Sequence, residues 1–123
     1  MTGGKLSPHA VLIVEDDQLL RLFTVQMVEE AGFLALQANN ADEAVAILEA
    51  RSDIALLLTD VNMPGSMDGL KLAHAVRHRW PPIKIIVISG RVSEYELPTG
   101  SRFFAKPYQS EAMISEIRSF IGA

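Results

Sequence analysis

The chain has 123 residues, room for one domain around a single core and not for two. It has no cysteine, so neither a disulfide framework nor a thiolate metal site can form, which suits a reducing cytoplasm. A net charge of −4 offers no basic face to nucleic acid or anionic lipid, and no apolar run approaches the roughly 20 residues of a membrane span, so a cytoplasmic protein without direct nucleic-acid or membrane partners is expected.

Residues 1–8 are polar and glycine-rich, have no apolar run of signal-peptide length, and are expected to be a flexible lead-in to one domain over 9–123. Residues 10–14 are apolar without alternation, as in a parallel strand covered on both faces. After Glu15-Asp16-Asp17, helical spacing of Leu19, Leu20, Phe23, Met27, Val28 and Ala31 predicts a first helix closed by Gly32. Residues 33–38 read as a second strand. Asn40 with Glu43 forms a capping-box pattern ahead of a helix whose apolar stripe is Ala44, Ile47 and Leu48. Residues 54–59 form the third strand, and 69–80 a helix that Pro81-Pro82 stops. A fourth strand covers 83–88, and the reading weakens over 91–101. A short strand ends at Ala105, and 109–121 predict a final helix with Met113, Ile114, Ile117, Phe120 and Ile121 inward.

Strands alternating with helices through right-handed crossovers give a flavodoxin-like, doubly wound, five-stranded parallel sheet of order 2-1-3-4-5. Four of the apolar runs end in chemically useful groups: Glu15-Asp16-Asp17, Asp60, Ser89-Gly90 and Lys106-Pro107. Ligands of such sheets bind outside the carboxyl ends of the strands, so these groups should meet there. The second strand ends instead in Gln37-Ala38-Asn39, as suits an edge.

Two carboxylates about 4 Å apart repel by roughly 4 kcal/mol at an effective dielectric near 20, so converging Glu15, Asp16 and Asp60 would need a cation. Oxygen-only ligands suit Mg²⁺, which leaves room for a phosphoryl group. Asp60 could then act as a nucleophile, with Lys106 as a second counter-charge, Ser89 as a hydroxyl donor and Gly90 letting backbone come close.

These residues identify a resemblance. Val11-Leu12-Ile13-Val14-Glu15-Asp16-Asp17, Thr59-Asp60-Val61-Asn62-Met63-Pro64 with Met67-Asp68-Gly69, Ile88-Ser89-Gly90 and Ala105-Lys106-Pro107 together resemble the receiver domain of bacterial two-component response regulators, over about residues 10–121. The resemblance implies that Asp60 accepts phosphate from a histidine kinase or histidine phosphotransfer protein. It implies Mg²⁺ held by Glu15, Asp16, Asp60 and the backbone carbonyl of Asn62, with Ser89 and Lys106 on the phosphoryl group. It also implies a cis Lys106-Pro107 bond, and phosphoryl lifetime tuned by Asn62 and Arg91. Three departures stand out. Gly65-Ser66 carries one extra residue, Phe103 replaces a switching tyrosine, and the 17 positions from Ser89 to Lys106 are fewer than the family usually shows. The shortening predicts a short or irregular fourth helix and a reshaped output face for an unknown downstream protein.

Asp17 and Asp68 read as helix caps. His9, His74 and His78 lack the spacing of a metal set, and Trp80 reads as a helix-end anchor. The function expected is a stand-alone phosphorylation switch or relay module, regulatory rather than enzymatic. The alternatives are a receiver-shaped interaction module that works without phosphorylation, and a small Mg²⁺-dependent aspartyl phosphatase. The phosphatase lacks a second acid two residues past Asp60, where Asn62 stands. A flavin module on the same topology would need a phosphate-cradling loop where Glu15-Asp16-Asp17 would repel it.

Overall fold

A computed structural model describes residues 9–63, 67–90 and 96–122. In chain order these are β1 (Ala10–Val14), α1 (Gln18–Glu30), β2 (Leu34–Ala38), α2 (Ala41–Ala50), β3 (Ile54–Asp60), α3 (Gly69–Arg79), β4 (Lys84–Ser89), β5 (Arg102–Ala105) and α4 (Ser110–Ile121). The strands form one parallel sheet of order β2-β1-β3-β4-β5, the flavodoxin-like order expected.

Strand parity explains the uniformly apolar runs. Leu12, Val14, Leu57, Ile85 and Val87 pack toward α2 and α3, with Ala44, Leu48, Leu72 and Val76. Val11, Ile13, Leu56, Leu58, Ile86 and Ile88 pack toward α1 and α4, with Met27, Val28, Met113 and Ile117. Over the three central strands, β1, β3 and β4, both sheet faces are thus dry and tolerate no polar alternation, whereas the edge strands β2 and β5 are partly exposed.

The helix ends follow their sequence signals. Asp17, Asn40 and Asp68 each accept a backbone N–H in the first turn, from Leu20, Glu43 and Lys71. Glu43 reaches back to the amide of Asn39, one residue before the cap, rather than to Asn40 itself. Trp80 ends α3 half-buried against the core.

The N-terminal half of α1 is apolar but not core: Leu19, Leu20, Leu22 and Phe23 are 76%, 44%, 46% and 53% exposed, and the buried residues are Thr24, Met27 and Val28. The stripe has helical spacing, but spacing alone does not say how far along the helix the core extends. A Cβ at Gly90 would make an ordinary 4.0 Å contact with the Lys106 side chain.

Between β4 and β5, described residues 96–101 contain no helix. They form a strap: Leu97 packs on the α2–α3 side of the core and Pro98 is buried. Two side chains of α3 tie it down. His74 Nε2 lies 2.6 Å from the Glu96 carbonyl oxygen, and Arg77 Nε donates to the Thr99 carbonyl at 2.9 Å. Arg77 Nη1 also donates to the carbonyls of Pro81 and Ile83. His74, exposed on α3, is therefore a tether. The extra residue at Gly65-Ser66 and the tuning position Arg91 lie outside the described residues.

Candidate functional site

Glu15 follows β1 directly, Asp60 ends β3, Ser89 ends β4 and Lys106 follows β5, so the sheet itself collects them at its carboxyl end. Glu15 and Asp60 carry the strand parity that faces α1 and α4. Thus the second residue after Ile13 and the second after Leu58 emerge on the same side.

Carboxylate oxygens of Glu15, Asp16 and Asp60 lie within 4.8 Å of one another, with Glu15 and Asp60 buried and Asp16 exposed. Lys106 Nζ stands 3.3 Å from Asp60 Oδ2 and 3.6 Å from Glu15 Oε1. Asp60 Oδ1 accepts the Val61 amide at 2.9 Å, and Glu15 Oε2 accepts the Asp17 amide at 3.1 Å. Each buried carboxylate therefore has one oxygen fixed by backbone and the other turned to the ammonium. The Lys106–Pro107 bond is cis. The Lys106 amide donates to the Ser89 carbonyl at 2.8 Å, which seats the lysine beside the end of β4.

Burial raises the Asp60 carboxyl above its ordinary value, with Lys106 pulling the other way. Burial likewise raises Glu15, opposed by the Asp17 amide and aided by the charge of Asp60. For Lys106, burial favours the neutral amine, but the charges of Asp60 and Glu15 outweigh it and hold the ammonium above its usual value. One cation facing three acids leaves the cluster anionic. Ligand oxygens around a six-coordinate Mg²⁺ lie about 3 to 4 Å apart, so oxygens already within 4.8 Å fit such an ion with little movement.

From Glu15 and Lys106 a cleft of about 430 Å³ runs toward α1, walled by Leu20, Phe23, Thr24, Pro107 and Tyr108. It is polar at the acids and apolar along the helix.

A family model described as the response regulator receiver domain matches residues 11–118. The chain belongs to the response regulator receiver family. It is 30% identical over 116 residues to the response regulator receiver protein CpdR of Brucella abortus, covering 90% of this chain and 95% of that one. It spans only 25% of a longer relative, the hydrogenase transcriptional regulatory protein HoxA of Cupriavidus necator. Among solved structures, a CheY-like receiver domain protein from Methanospirillum hungatei superposes with a TM-score of 0.86 at 26% identity, over 94% of this chain and 95% of that one. The response regulator TrrA of Thermotoga maritima, in complex with Mg²⁺-BeF, shares the fold with a TM-score of 0.80 at 22% identity, over 91% and 98%.

In this receiver the remaining expected residues fall as follows. Asn62 is exposed, two residues past Asp60, and Ser89 is fully buried. Phe103 sits on β5 opposite Val87 and is 37% exposed. Three further residues shape the site without offering chemistry of their own. A Cβ on Gly69 would overlap the carbonyl oxygen of Asp60, so only glycine lets α3 start where it does. Tyr108 packs edge-on to Phe104, bonds Thr24 and is raised in pKa by burial, closing the cleft two residues past Lys106. Arg21, one turn into α1, donates to the Glu15 carbonyl at 2.8 Å. The only hint in the sequence was closeness to a motif.

Proposed function

We propose that Asp60 is the phosphoacceptor of a Mg²⁺-dependent signalling switch, loaded from the phosphohistidine of a histidine kinase or phosphotransfer protein. The observation that carries this reading is the 3.3 Å approach of Lys106 Nζ to Asp60 Oδ2 inside a group of three carboxylates. Because Oδ1 is held by the Val61 amide, Oδ2 is the atom that attacks phosphorus. The Oδ2–P bond forms as the donor's N–P bond breaks, and the imidazole nitrogen keeps the electron pair. Glu15, Asp16, Asp60 and the backbone carbonyl of Asn62 would hold the ion, which when bound supplies positive charge to the phosphoryl oxygens. Lys106 adds a fixed ammonium, and Ser89 offers its hydroxyl from the end of β4.

The same reading gives a place for the donor. Leu19, Leu20, Leu22 and Phe23 form an exposed apolar strip beside the cleft, with Asp16 and Asp17 at one end and Glu29 and Glu30 at the other. An apolar helix with basic flanks, carrying the donor histidine, matches both features. The new charge on Asp60 would be sensed through Ser89 and Lys106 by the strap and Phe103, with Asn62 and Arg91 tuning its lifetime. In this reading residues 9–123 act in the cytoplasm as a switch or relay module without catalysing the turnover of another substrate.

Incubation with acetyl phosphate and Mg²⁺, followed by intact mass, tests the assignment. A single base-labile adduct on the wild type and none on Asp60→Asn is expected. Absence of an adduct on the wild type would favour an interaction module that works without phosphate, and steady multiple-turnover hydrolysis would favour a phosphatase.

A further inference from the structure

Both backbone groups of Glu15 are tied to the far end of β2. Its amide donates to the Ala38 carbonyl at 3.1 Å, and its carbonyl accepts from Arg21 Nη1 at 2.8 Å. Arg21 is itself anchored there: Nη1 also donates to Asn39 Oδ1, and Nε donates to Gln37 Oε1 at 3.2 Å. The guanidinium thus spans from α1 across the β1–α1 turn to two side-chain amides on the edge of the sheet. On the other side of the turn, Asp17 caps α1 and gives its amide to Glu15 Oε2. Asp16 lies between two residues fixed in this way.

We propose that Arg21 is a positioning residue for the divalent-ion site, fixing the Glu15-Asp16 turn against Gln37 and Asn39 so that both acids present their oxygens beside Asp60. This rests on the Mg²⁺-binding reading above. It also gives a reason for the polar, acid-free end of β2: Gln37 and Asn39 are the neutral acceptors that orient the guanidinium, whereas carboxylates there would add charge beside an already anionic cluster. Arg21 carries two opposed effects on a bound cation. Its charge repels the ion, while its hydrogen bonds hold the ligands, and outer partners of metal ligands typically change affinity about 10-fold to 100-fold. The rigid fork, which reaches three oxygens at once, makes the second effect the larger.

The test is titration of the ¹⁵N-labelled full chain with MgCl₂, following amide shifts, for the wild type, Arg21→Met, Arg21→Lys and the Gln37→Ala/Asn39→Ala double variant. Arg21→Met is expected to raise the Mg²⁺ Kd about tenfold. Arg21→Lys, which keeps the charge and loses the fork, is expected to weaken binding too, though less, as is the double variant. If charge were the main effect, Arg21→Met would bind more tightly and Arg21→Lys would match the wild type; either result overturns the proposal. So does an unchanged Kd accompanied by a lower Tm, the mark of a purely structural arginine. Should Arg21→Met not fold, Arg21→Lys and the double variant decide the matter alone. A wild type that takes up no Mg²⁺ would instead count against the ion-binding reading, so the two failures are distinguishable.

Discussion

The sheet has two unlike halves. β1 and β3 are buried almost residue by residue, and their carboxyl ends hold acids with each buried carboxylate fixed through one oxygen. β5 is mostly exposed along its four residues, and the connection leading to it hangs from α3 by polar bonds of His74 and Arg77. Apolar packing fixes positions to fractions of an ångström because every displacement opens a void, whereas a few exposed hydrogen bonds exchange with water at little cost. The proposed chemistry thus sits on the tightly packed half, and the proposed readout falls to the looser one. Lys106 belongs to both, since it follows β5 and reaches into the acid cluster.

Four outcomes would break or sharpen this contrast. Gly69→Ala forces a methyl group onto the Asp60 carbonyl and should cost about 3 kcal/mol or more, read as a large fall in Tm. A mild effect would mean that the rigid half yields more than its packing implies. Lys106→Met should slow adduct formation from acetyl phosphate about 100-fold while leaving the fold intact, as loss of a preorganised charge does. A change of less than about twofold would remove the lysine from the chemistry.

Arg77→Met strips three carbonyls of a donor and should cost about 1–3 kcal/mol, with faster amide exchange over 96–101. Its rate of phosphorylation by acetyl phosphate should stay near that of the wild type. If it fell as far as for Lys106→Met, the two halves could not be separated. The smallest effect concerns pH. Burial raises the folded-state value of Asp60 above its unfolded one, so the protonated form is favoured by folding. That favourable contribution is complete below the ordinary carboxylate range and is lost as pH rises through the raised value. Asp60→Asn should therefore be more stable than the wild type at pH 7 without Mg²⁺, read as a higher Tm, with the difference disappearing as pH falls below the ordinary carboxylate range. A variant less stable at pH 7 would mean that the ion pair with Lys106 outweighs the burial of Asp60.

Much of the rigid half was readable beforehand. A strand buried on both faces has one vocabulary, so Leu56-Leu57-Leu58 running into Thr59-Asp60 announces both the strand and the place where it meets water. The caps Asp17, Asn40 and Asp68 were readable because a cap acts on its own next turn. The looser half showed only that the interval from Ser89 to Lys106 was short. Its fastening by His74 and Arg77 spans 22 residues of chain, and an exposed polar helix position carries no mark of such a partner. The same blindness hid Arg21.

By itself the sequence determined the five strands and which residues end them, because burial and turn formation are local demands that residue types state openly, and the alternation with helices, under the crossover rule, then gave their order. Tertiary structure alone decided which oxygen of Asp60 faces Lys106, which arginine holds the acidic turn, and how far α1 lies on the core. Those depend on distances between segments far apart in the chain, and directional polar contacts leave no periodic trace.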